Sequence, residues 1–294
     1  MNSRGGPPCG RPVPVKTRIT HYDLIMKVHF KTDVYLEYLR ISFLSLLAYR
    51  ANYFLGVINY VIHVGVYYFI YKALYASGGT INNYTLSDMV TYIAIGWISK
   101  SLYLNYMDHD IANDIRSGTI SIDLIKPVDY QALNYARGLG QSMFRLLFFT
   151  PPIIIATFLI YPVHGPSSLY NLFLFIISTG LSMLLYVGLN FFIGLIAVYT
   201  ISIEGILYPK NMIIELFSGL LVPIDWFPGT FQYISSFLPF KYIAYVPLSL
   251  YLGRVELSVA YRALLIQFIW VILLFTAGRI LWFMCRKKIT IHGG

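Results

Sequence analysis

The sequence has little charge for its length. Charged residues make up 12% of the 294 residues, against about 25% in typical soluble domains. Hydrophobic residues make up 57%, and several apolar runs exceed the roughly 18 to 20 residues that cross the hydrocarbon core of a bilayer. The polar helix faces that a soluble protein of this size needs are missing. The composition therefore predicts an all-α integral membrane protein.

Cysteine is also scarce, since only Cys9 and Cys285 are present. Two thiols do not support a disulfide framework or a thiolate metal site, so we expect no bound metal. The sequence contains neither an HExxH nor a GxSxG motif, and its apolar runs hold no paired carboxylates. A membrane-embedded enzyme needs such convergent groups, so we predict that the chain is not an enzyme.

What the sequence does contain is a series of apolar segments that we predict to be six transmembrane helices. With the N-terminus in the cytoplasm, all but four of the 22 lysines and arginines lie on the cytoplasmic side, which is the positive-inside pattern. The net charge of +9 therefore indicates a topology with both termini in the cytoplasm, and nucleic-acid binding is not expected. The predicted spans are residues 52–75, 89–107, 139–161, 169–200, 206–222 and 259–285.

Two segments precede the first span. Residues 1–31 are rich in glycine, proline and arginine near their start and lack the apolar core of a secretory signal, so we expect a disordered extension. Residues 32–50 combine a broad apolar face with charges, and Thr32 or Asp33 could cap a helix there. We predict an amphipathic helix along the cytoplasmic leaflet, with a cytoplasmic extension of the first span as the alternative. Residues 51–294 would then form one six-helix domain.

A polar loop at residues 108–130 separates the second and third predicted spans. We expect Asp108 or Asp110 to cap a short amphipathic helix that ends at Gly118. Residues 119–125 alternate apolar and polar side chains, which predicts an extended segment. The loop holds a large share of the 13 acidic residues of the chain. They are Asp108, Asp110, Asp114, Asp123 and Asp129.

Prolines interrupt two apolar regions. Pro151 and Pro152 predict a bend in the third span. Residues 223–253 contain too many prolines to form one continuous span, and backbone broken at membrane depth must be buried in protein or line a cavity. We predict a pair of short re-entrant helices there, on the outer side. The proposed hinge residues are Pro223, Pro228, Gly229 and Pro239.

Three polar side chains within predicted spans are candidates for a translocation path, namely Asn59, Asn190 and Glu215. Ionisable groups at such depth are costly and usually face the protein interior. For Glu215 the alternative is a structural partner on a neighbouring helix. For the two asparagines the alternative is a hydrogen bond between helices. The sequence favours these structural roles over contact with a substrate.

The order of these features resembles the permease subunits of ABC-2 type exporters, from about Lys31 to Gly294. That order is an interfacial helix, two spans, a cytoplasmic IRSG…KPVDY loop, three spans, broken outer helices and a last span. The stretches IANDIRSGTISIDLIKPVDYQ and GRILWFMCRKKITIHGG are especially similar to a branch that often uses paired permeases with one ATPase.

This resemblance implies a permease subunit of an ATP-driven exporter in the plasma membrane of a prokaryote. Its partners would be two copies of a cytoplasmic ABC ATPase, a second permease that is identical or homologous, and membrane lipid. The chain has no GxxxxGK[ST] motif, so ATP and Mg²⁺ would bind to the partner ATPase and no cofactor to this chain. A hydrophobic drug or peptide and a lipid-linked glycan both remain candidate substrates.

The resemblance also implies that residues 108–117 form a coupling helix, which docks into a groove of the ATPase. Ile111 and Ile115 would supply apolar docking, and nearby charged residues would set the orientation. A secondary transporter or a channel is the alternative, although neither needs a polar docking helix. The predicted coupling residues are Asp110, Ile111, Asn113, Asp114, Ile115, Arg116 and Gly118.

Overall fold

A computed structural model describes the backbone of residues 21–48, 50–200 and 204–288, and the side chains of residues 33–47, 55–200 and 205–288. Within these ranges the chain forms α-helices with short connecting segments and no β-strand. The helices are α1 (His21–Ala48), α2 (Arg50–Leu74), α3 (Leu86–Tyr103), α4 (Met107–Ser117), α5 (Ile120–Leu124), α6 (Tyr130–Phe144), α7 (Thr150–Ile160), α8 (Leu169–Ile196), α9 (Glu204–Phe217), α10 (Gly229–Ser236), α11 (Tyr245–Tyr251) and α12 (Leu257–Cys285).

In the described ranges, four helical segments are long and apolar enough to cross a bilayer, which confirms the predicted all-α membrane class. Helices α3 and α9 correspond to the second and fifth predicted spans. Helix α9 has 14 residues, or about 21 Å, which is less than the roughly 30 Å of a hydrocarbon core. The six-span arrangement therefore stays a prediction. The four segments are Leu55–Leu74, Tyr130–Ile160, Leu169–Tyr199 and Leu257–Cys285.

Helix α1 begins earlier than the sequence predicted. Disorder was expected up to residue 31 and a helix from residue 32, but α1 starts at His21. The segment contains neither glycine nor proline, so no local signal stops the helix from extending toward the N-terminus. Thr32 and Asp33 therefore lie inside α1 and not at its start. Residues 1–20 lie outside the described residues, and the interfacial position of α1 stays a prediction.

Helix α1 packs along α6 through a close approach of the two backbones. A Cβ atom at Gly140 would lie 2.3 Å from the carbonyl oxygen of Leu39 and 3.0 Å from the Cβ of Ser42. The Ser42 hydroxyl also donates a hydrogen bond to the carbonyl of Arg137 at 2.9 Å. A side chain at position 140 would force the helices apart, so the glycine allows α1 to lie directly against α6.

The third predicted span changes its hydrogen-bonding pattern near its middle. Helix α6 passes into a π-helical stretch, Arg145–Phe149, before α7 begins. Pro151 and Pro152 lack the backbone N–H groups that would complete the α-helical pattern of the preceding turn. A π-helical turn is one way in which a helix absorbs such an interruption. The prolines therefore disturb the helix just before their own position.

The outer segment, residues 223–253, contains the two short helices that the sequence predicted, α10 and α11. Pro228 immediately precedes α10, which begins at Gly229. Pro223 and Pro239 each precede a single 3₁₀ turn. Prolines therefore precede α10 and both 3₁₀ turns, whereas α11 begins at Tyr245 after Ala244. The re-entrant depth of α10 and α11 stays a prediction.

A turn that the sequence did not single out lies before this segment, at Gly219. Its φ of +75° is in the left-handed region, which glycine adopts at little cost. A Cβ there would lie 2.9 Å from the Ile224 side chain. The hydroxyl of Tyr92 on α3 donates a hydrogen bond to the Gly219 carbonyl at 2.5 Å. The turn is therefore anchored to α3, and it directs the chain from α9 into the outer segment.

Helix α8 is the central helix of the bundle and contacts α3, α4, α6, α11 and α12. Glycines on and beside it allow close packing. A Cβ at Gly188 would lie 3.2 Å both from the Tyr135 hydroxyl on α6 and from the Leu274 Cβ on α12. A Cβ at Gly278 on α12 would lie 3.0 Å from the Phe191 ring. Small residues let membrane helices approach in this way, and α8 thereby connects the polar loop to the rest of the bundle.

Candidate functional site

Helix α4 is the short helix that the sequence predicted in the polar loop. It ends as predicted, because Gly118 follows it with a φ of +75°, a conformation typical of a glycine after a helix. Its start differs from the prediction. Tyr106 occupies the cap position without a side-chain capping bond, and Asp108 and Asp110 lie in the first turn. Carboxylates there interact favourably with the helix dipole, but neither of them caps α4.

The segment after α4 is helical, so the prediction that residues 119–125 are extended is wrong. Ile120 is buried, and Asp123 is nearly buried beside Arg137, with 3.0 Å between Asp123 Oδ2 and Arg137 Nη2. A helical turn places residues three apart on the same side, whereas a strand would place Ile120 and Asp123 on opposite faces. Contacts with the bundle therefore outweigh the local alternation, which spans too few residues to specify a strand.

The inner face of α4 packs on α8. Ile111 is completely buried, and a Cβ at Gly194 would lie 3.1 Å from the Ile111 Cβ and 3.0 Å from the Asp108 Cα. Ile115 is half-buried against the same apolar cluster, which includes Phe191. Ile111 is therefore not available for docking to a partner. Helical spacing correctly placed Ile111 and Ile115 on one face, but that face is turned toward α8.

A buried ion pair joins α4 to α9. Lys210 Nζ donates hydrogen bonds to Asp108 Oδ2 at 2.5 Å and to Asn190 Oδ1 at 3.0 Å. The side chains of Asp108 and Lys210 are 0% and 6% exposed. Asn190 on α8 also donates to Asn105 Oδ1 at 2.9 Å. Removing one partner of a buried ion pair typically costs about 3–5 kcal/mol, so this network ties α4, α8 and α9 firmly together.

The sequence analysis missed this pair. Its two members lie 102 positions apart, and nothing local relates them. The available signals were an aspartate at the edge of an apolar run and a lysine near the end of a predicted span, because buried charges are normally paired. Asn190 is fully buried and has both ends of its amide bonded, which favours its role as a hydrogen-bonding link between helices.

Other ion pairs hold the second half of the loop. Asp129 accepts hydrogen bonds from Arg279 on α12 and from the backbone N–H of Ala132 at 2.8 Å, which caps α6. Burial acts to raise the pKa of Asp129, but these hydrogen bonds outweigh it and hold the pKa below its usual value. Asp123 pairs with Lys126 at 2.6 Å, and that hydrogen bond raises the pKa of Lys126.

The outward side of α4 and α5 is exposed and mixes polar with apolar side chains. Asp114 is half-buried and accepts a hydrogen bond from Thr119 Oγ1 at 3.0 Å. Ile122 and Ile125 are 55% and 83% exposed, and exposed apolar side chains grouped together are typical of interaction sites. We define the loop face by five of the exposed residues on this side, namely Asp110, Asn113, Arg116, Ile122 and Ile125.

A second candidate site is a cavity of about 170 Å³ between α3, α8 and α9. Glu215 of α9 accepts a hydrogen bond from Lys100 of α3. The Lys100 ammonium lies 4.3 Å from the centroid of the Trp97 ring. Glu215 therefore has a structural partner on a neighbouring helix and also lines a cavity. The other polar or aromatic residues of the lining are Tyr103, Tyr106, Tyr186, Asn211 and Ser218.

The two asparagines predicted for a translocation path do not line this cavity. Asn59 lies on an exposed side of α2, and its carbonyl is within 2.8 Å of His63 Nδ1 on the same helix. Asn190 belongs to the buried network described above. Of the predicted path residues, Glu215 therefore lies at this cavity.

A family model described as ABC-2 family transporter protein matches residues 61–293. The match covers more than half of the chain and includes the loop face, the buried ion pair and the cavity. No curated protein matches the chain. The family match confirms the resemblance inferred from the loop and the last helix, and members of this family are membrane permeases of ABC transporters. The chain therefore belongs to the ABC-2 family of transporter proteins.

Proposed function

We propose that this chain is the permease subunit of an ATP-driven exporter and that its loop face contacts a separate cytoplasmic ATPase. Membership of the ABC-2 family makes the chain a permease of an ABC transporter and implies an ABC ATPase as its partner. The sequence has no GxxxxGK[ST] motif, which favours a separate polypeptide for ATP binding. ATP and Mg²⁺ would then be bound by that partner.

The observation that carries the proposal is the difference between the two sides of α4. The inner side is fixed to α8 by Ile111 and to α9 by the ion pair of Asp108 with Lys210. The outer side presents the loop face to solvent. A short helix with one anchored and one exposed side is suited to receive a partner on one side and to move the bundle with the other.

The proposed mechanism follows from this arrangement. Closure of the ATPase on ATP would displace α4, and its tight packing would carry α8 and α9 with it. Packed helices and ion pairs transmit displacement because they switch between discrete arrangements and do not deform continuously. Movement of α9 relative to α3 would change the cavity that contains Glu215 and Lys100. ATP binding would thus alter the membrane region without any nucleotide contact in this chain.

The proposed assembly contains two permeases, identical or homologous, and two ATPase subunits in the plasma membrane of a prokaryote. Most lysines and arginines lie on one side of the predicted spans, the side that holds both termini and the loop face. This distribution supports a cytoplasmic position for that side. Outward transport follows from the resemblance to exporters. A secondary transporter or a channel is the weaker alternative, since the family match favours an ABC permease.

Co-expression with candidate ABC ATPases tests the proposal, beginning with an ATPase encoded beside this chain. We expect the wild-type chain to retain such an ATPase through purification in lipid. The variant Ile125→Ser removes the most exposed apolar side chain of the loop face. Burying an isoleucine is worth about 1.5–3 kcal/mol, so its loss should weaken the association about tenfold to a hundredfold.

The matched control is Ile234→Ser, because Ile234 is also an exposed isoleucine (48%) but belongs to α10 in the outer segment. We expect this variant to retain the ATPase as the wild type does. If Ile125→Ser retains as much ATPase as the wild type, Ile125 does not belong to the interface. Failure of every candidate ATPase to bind the wild-type chain would contradict the proposed coupling itself.

A further inference from the structure

Arg145 is a buried cation inside a membrane-spanning segment. It begins the π-helical stretch within Tyr130–Ile160 and is only 8% exposed. Its Nε is buried without a hydrogen-bond partner, and among the described residues no carboxylate forms an ion pair with it. Its guanidinium lies instead 5.3 Å from the Phe149 ring centroid and 6.0 Å from that of Tyr106. Buried charges are normally paired, so Arg145 calls for a specific explanation.

Arg145 lies beside the cavity that contains Glu215. The Tyr106 ring contacts Arg145 and also lines that cavity together with Lys100. Intramembrane ionisable residues usually have functional roles, and single π-helical turns are frequent at functional sites. Lys100 therefore lines the cavity, whereas Arg145 does not line it but lies close to Tyr106, a residue of its lining.

The charges around the cavity do not balance. Lys100 is paired with Glu215, and Lys210 is paired with Asp108. Each of these pairs is neutral, whereas the charge of Arg145 is not cancelled by any ion pair among the described residues. Among the described side chains, Arg145 is therefore a positive charge without an ion-pair partner in a low-dielectric setting, where an anion would be attracted strongly.

We propose that Arg145 and Lys100 bind the anionic headgroup, a phosphate or a carboxylate, of an amphiphile. This inference rests on the proposed function and adds to it the chemical class of the ligand. A guanidinium binds such groups through two parallel hydrogen bonds, and the buried Nε supplies one unused donor. A cavity of about 170 Å³ admits a headgroup and leaves the apolar tail outside.

The residues that follow Arg145 provide a surface for the tail. Leu146, Leu147 and Phe148 are each more than half exposed, although the Phe148 ring also packs on Phe43 of α1. In a membrane-spanning segment, such exposed apolar side chains are available to the hydrocarbon of the bilayer. An amphiphile could thus keep its tail in the membrane while its headgroup reaches Arg145. This geometry fits lateral entry from the membrane and not entry of a soluble anion from water.

Tyr106 connects this site to the polar loop. It is the residue that immediately precedes α4, it is half exposed, and its ring centroid lies 6.0 Å from the Arg145 guanidinium. His109, in the first turn of α4, lies with its ring 5.9 Å from that of Tyr106. Any displacement of α4 therefore moves the aromatic ring beside Arg145, so the ATPase contact and the headgroup site would be coupled.

The test uses the permease–ATPase complex in nanodiscs of phosphatidylcholine, with two probes of equal chain length, dodecyl phosphate and dodecyltrimethylammonium. We expect the wild-type complex to bind dodecyl phosphate more tightly. Arg145→Gln should weaken that binding about tenfold or more, which corresponds to about 1.4 kcal/mol. The control Arg262→Gln, which changes an exposed arginine at the start of α12, should leave the binding unchanged.

Several outcomes would overturn the inference. Equal binding of the two probes by the wild-type complex would do so without any variant, and so would full retention of dodecyl phosphate binding by Arg145→Gln. If Arg145→Gln does not fold, Arg145→Lys keeps the charge and loses the paired hydrogen bonds. It should keep the preference for the phosphate probe at reduced affinity, and loss of that preference would count against the site.

Two further measurements distinguish the source of the headgroup. Stimulation of ATP hydrolysis by dodecyl phosphate supports a transported amphiphile. An anionic lipid that remains bound through purification, without such stimulation, supports a retained bilayer lipid, and either result supports an anionic site at Arg145. If no ATPase binds this chain but Arg145-dependent binding of dodecyl phosphate persists, the proposed function fails and the site stands.

Discussion

Ion pairs hold the polar loop, residues 108–130, to the helix bundle, whereas tyrosine hydroxyls and aromatic rings hold the outer segment, residues 223–253. In the loop, Asp108 is fully buried against Lys210. The pairs of the loop therefore reach into the bundle, to α9 as well as to α6 and α12.

The outer segment has a single carboxylate, Asp225, which accepts a hydrogen bond from the Tyr245 hydroxyl at 2.6 Å. The Trp226 ring packs edge-on against Tyr84, with 5.9 Å between the ring centroids. Aromatic contacts of this kind add about 0.5–1.5 kcal/mol each beyond burial. The stability of the outer segment is therefore spread over many modest contacts. In the loop, a single buried ion pair contributes a large share, so its removal has a large effect. In the proposed mechanism, the buried pair of the loop would therefore carry movement to α9, and the contacts of the outer segment would hold that segment in place.

The largest expected effect comes from breaking the buried pair on the loop side. Lys210→Met leaves Asp108 buried and unpaired, so it should reduce the free energy of unfolding by about 3–5 kcal/mol. The double variant Asp108→Leu/Lys210→Met removes both charges and should recover much of that loss. Tryptophan-monitored thermal unfolding in a lipid nanodisc measures both. If Lys210→Met is as stable as the wild type, the ion pair does not contribute this free energy of unfolding.

The next largest effect concerns the packing of α4 on α8. Gly194→Ala places a methyl group 3.0 Å from the Asp108 Cα and 3.2 Å from its carbonyl oxygen, so it should destabilise the fold by about 1–3 kcal/mol. Gly180→Ala on the same helix meets no atom within 4 Å and should be neutral or slightly stabilising, because alanine favours helix. Thermal unfolding of the two variants side by side checks this difference, and equal stabilities would contradict it.

A smaller effect is expected in the outer segment. Tyr245→Phe removes the hydroxyl that donates to Asp225, but that carboxylate is partly exposed to water and also lies within hydrogen-bond distance of the Tyr84 hydroxyl. The expected loss is about 1 kcal/mol, measured in the same way. A loss as large as that of Lys210→Met would erase the proposed difference between the two regions.

The smallest effect is expected where an ion pair is exposed. Arg40 and Glu37 lie 3.4 Å apart on α1, with side chains 67% and 53% exposed. Exposed pairs contribute about 0–1 kcal/mol, so Arg40→Ala should change the unfolding temperature only marginally, and the change should vanish at high salt. A large shift would indicate that α1 contributes to the fold through Arg40 in a way that exposure does not reveal.

Local signals accounted for much of the fold. Composition predicted the helical membrane class and Gly118 predicted the end of α4, because each depends on residues adjacent in the chain. The predictions failed where contacts between segments distant in the chain determine the local structure. Residues 119–125 are helical since Ile120 and Asp123 both face the bundle. The periodicity of a sequence does not show which face of an element packs on the rest of the protein.

The candidate sites show the same division. The acidic loop was predicted to be an interaction element, which stays a prediction, and within it Asp108 was expected at a helix cap and Ile111 at a docking surface. Both are buried. Arg145 was counted with the cytoplasmic charges, although its position between apolar residues in MFRLLFF was a signal of burial. Its lack of an ion-pair partner becomes visible only when the helices are assembled.

We propose that α4 passes the ATPase contact to α9 through Asp108 and Lys210. An environment-sensitive fluorophore at Tyr208→Cys, an exposed position on α9, tests this coupling in the permease–ATPase complex with Cys9→Ser. We expect the emission to change when ATP is added, and the change to be largely abolished in Asp108→Asn/Lys210→Gln, although that variant still retains the ATPase. If the double variant responds as the wild type does, the ion pair does not carry the coupling.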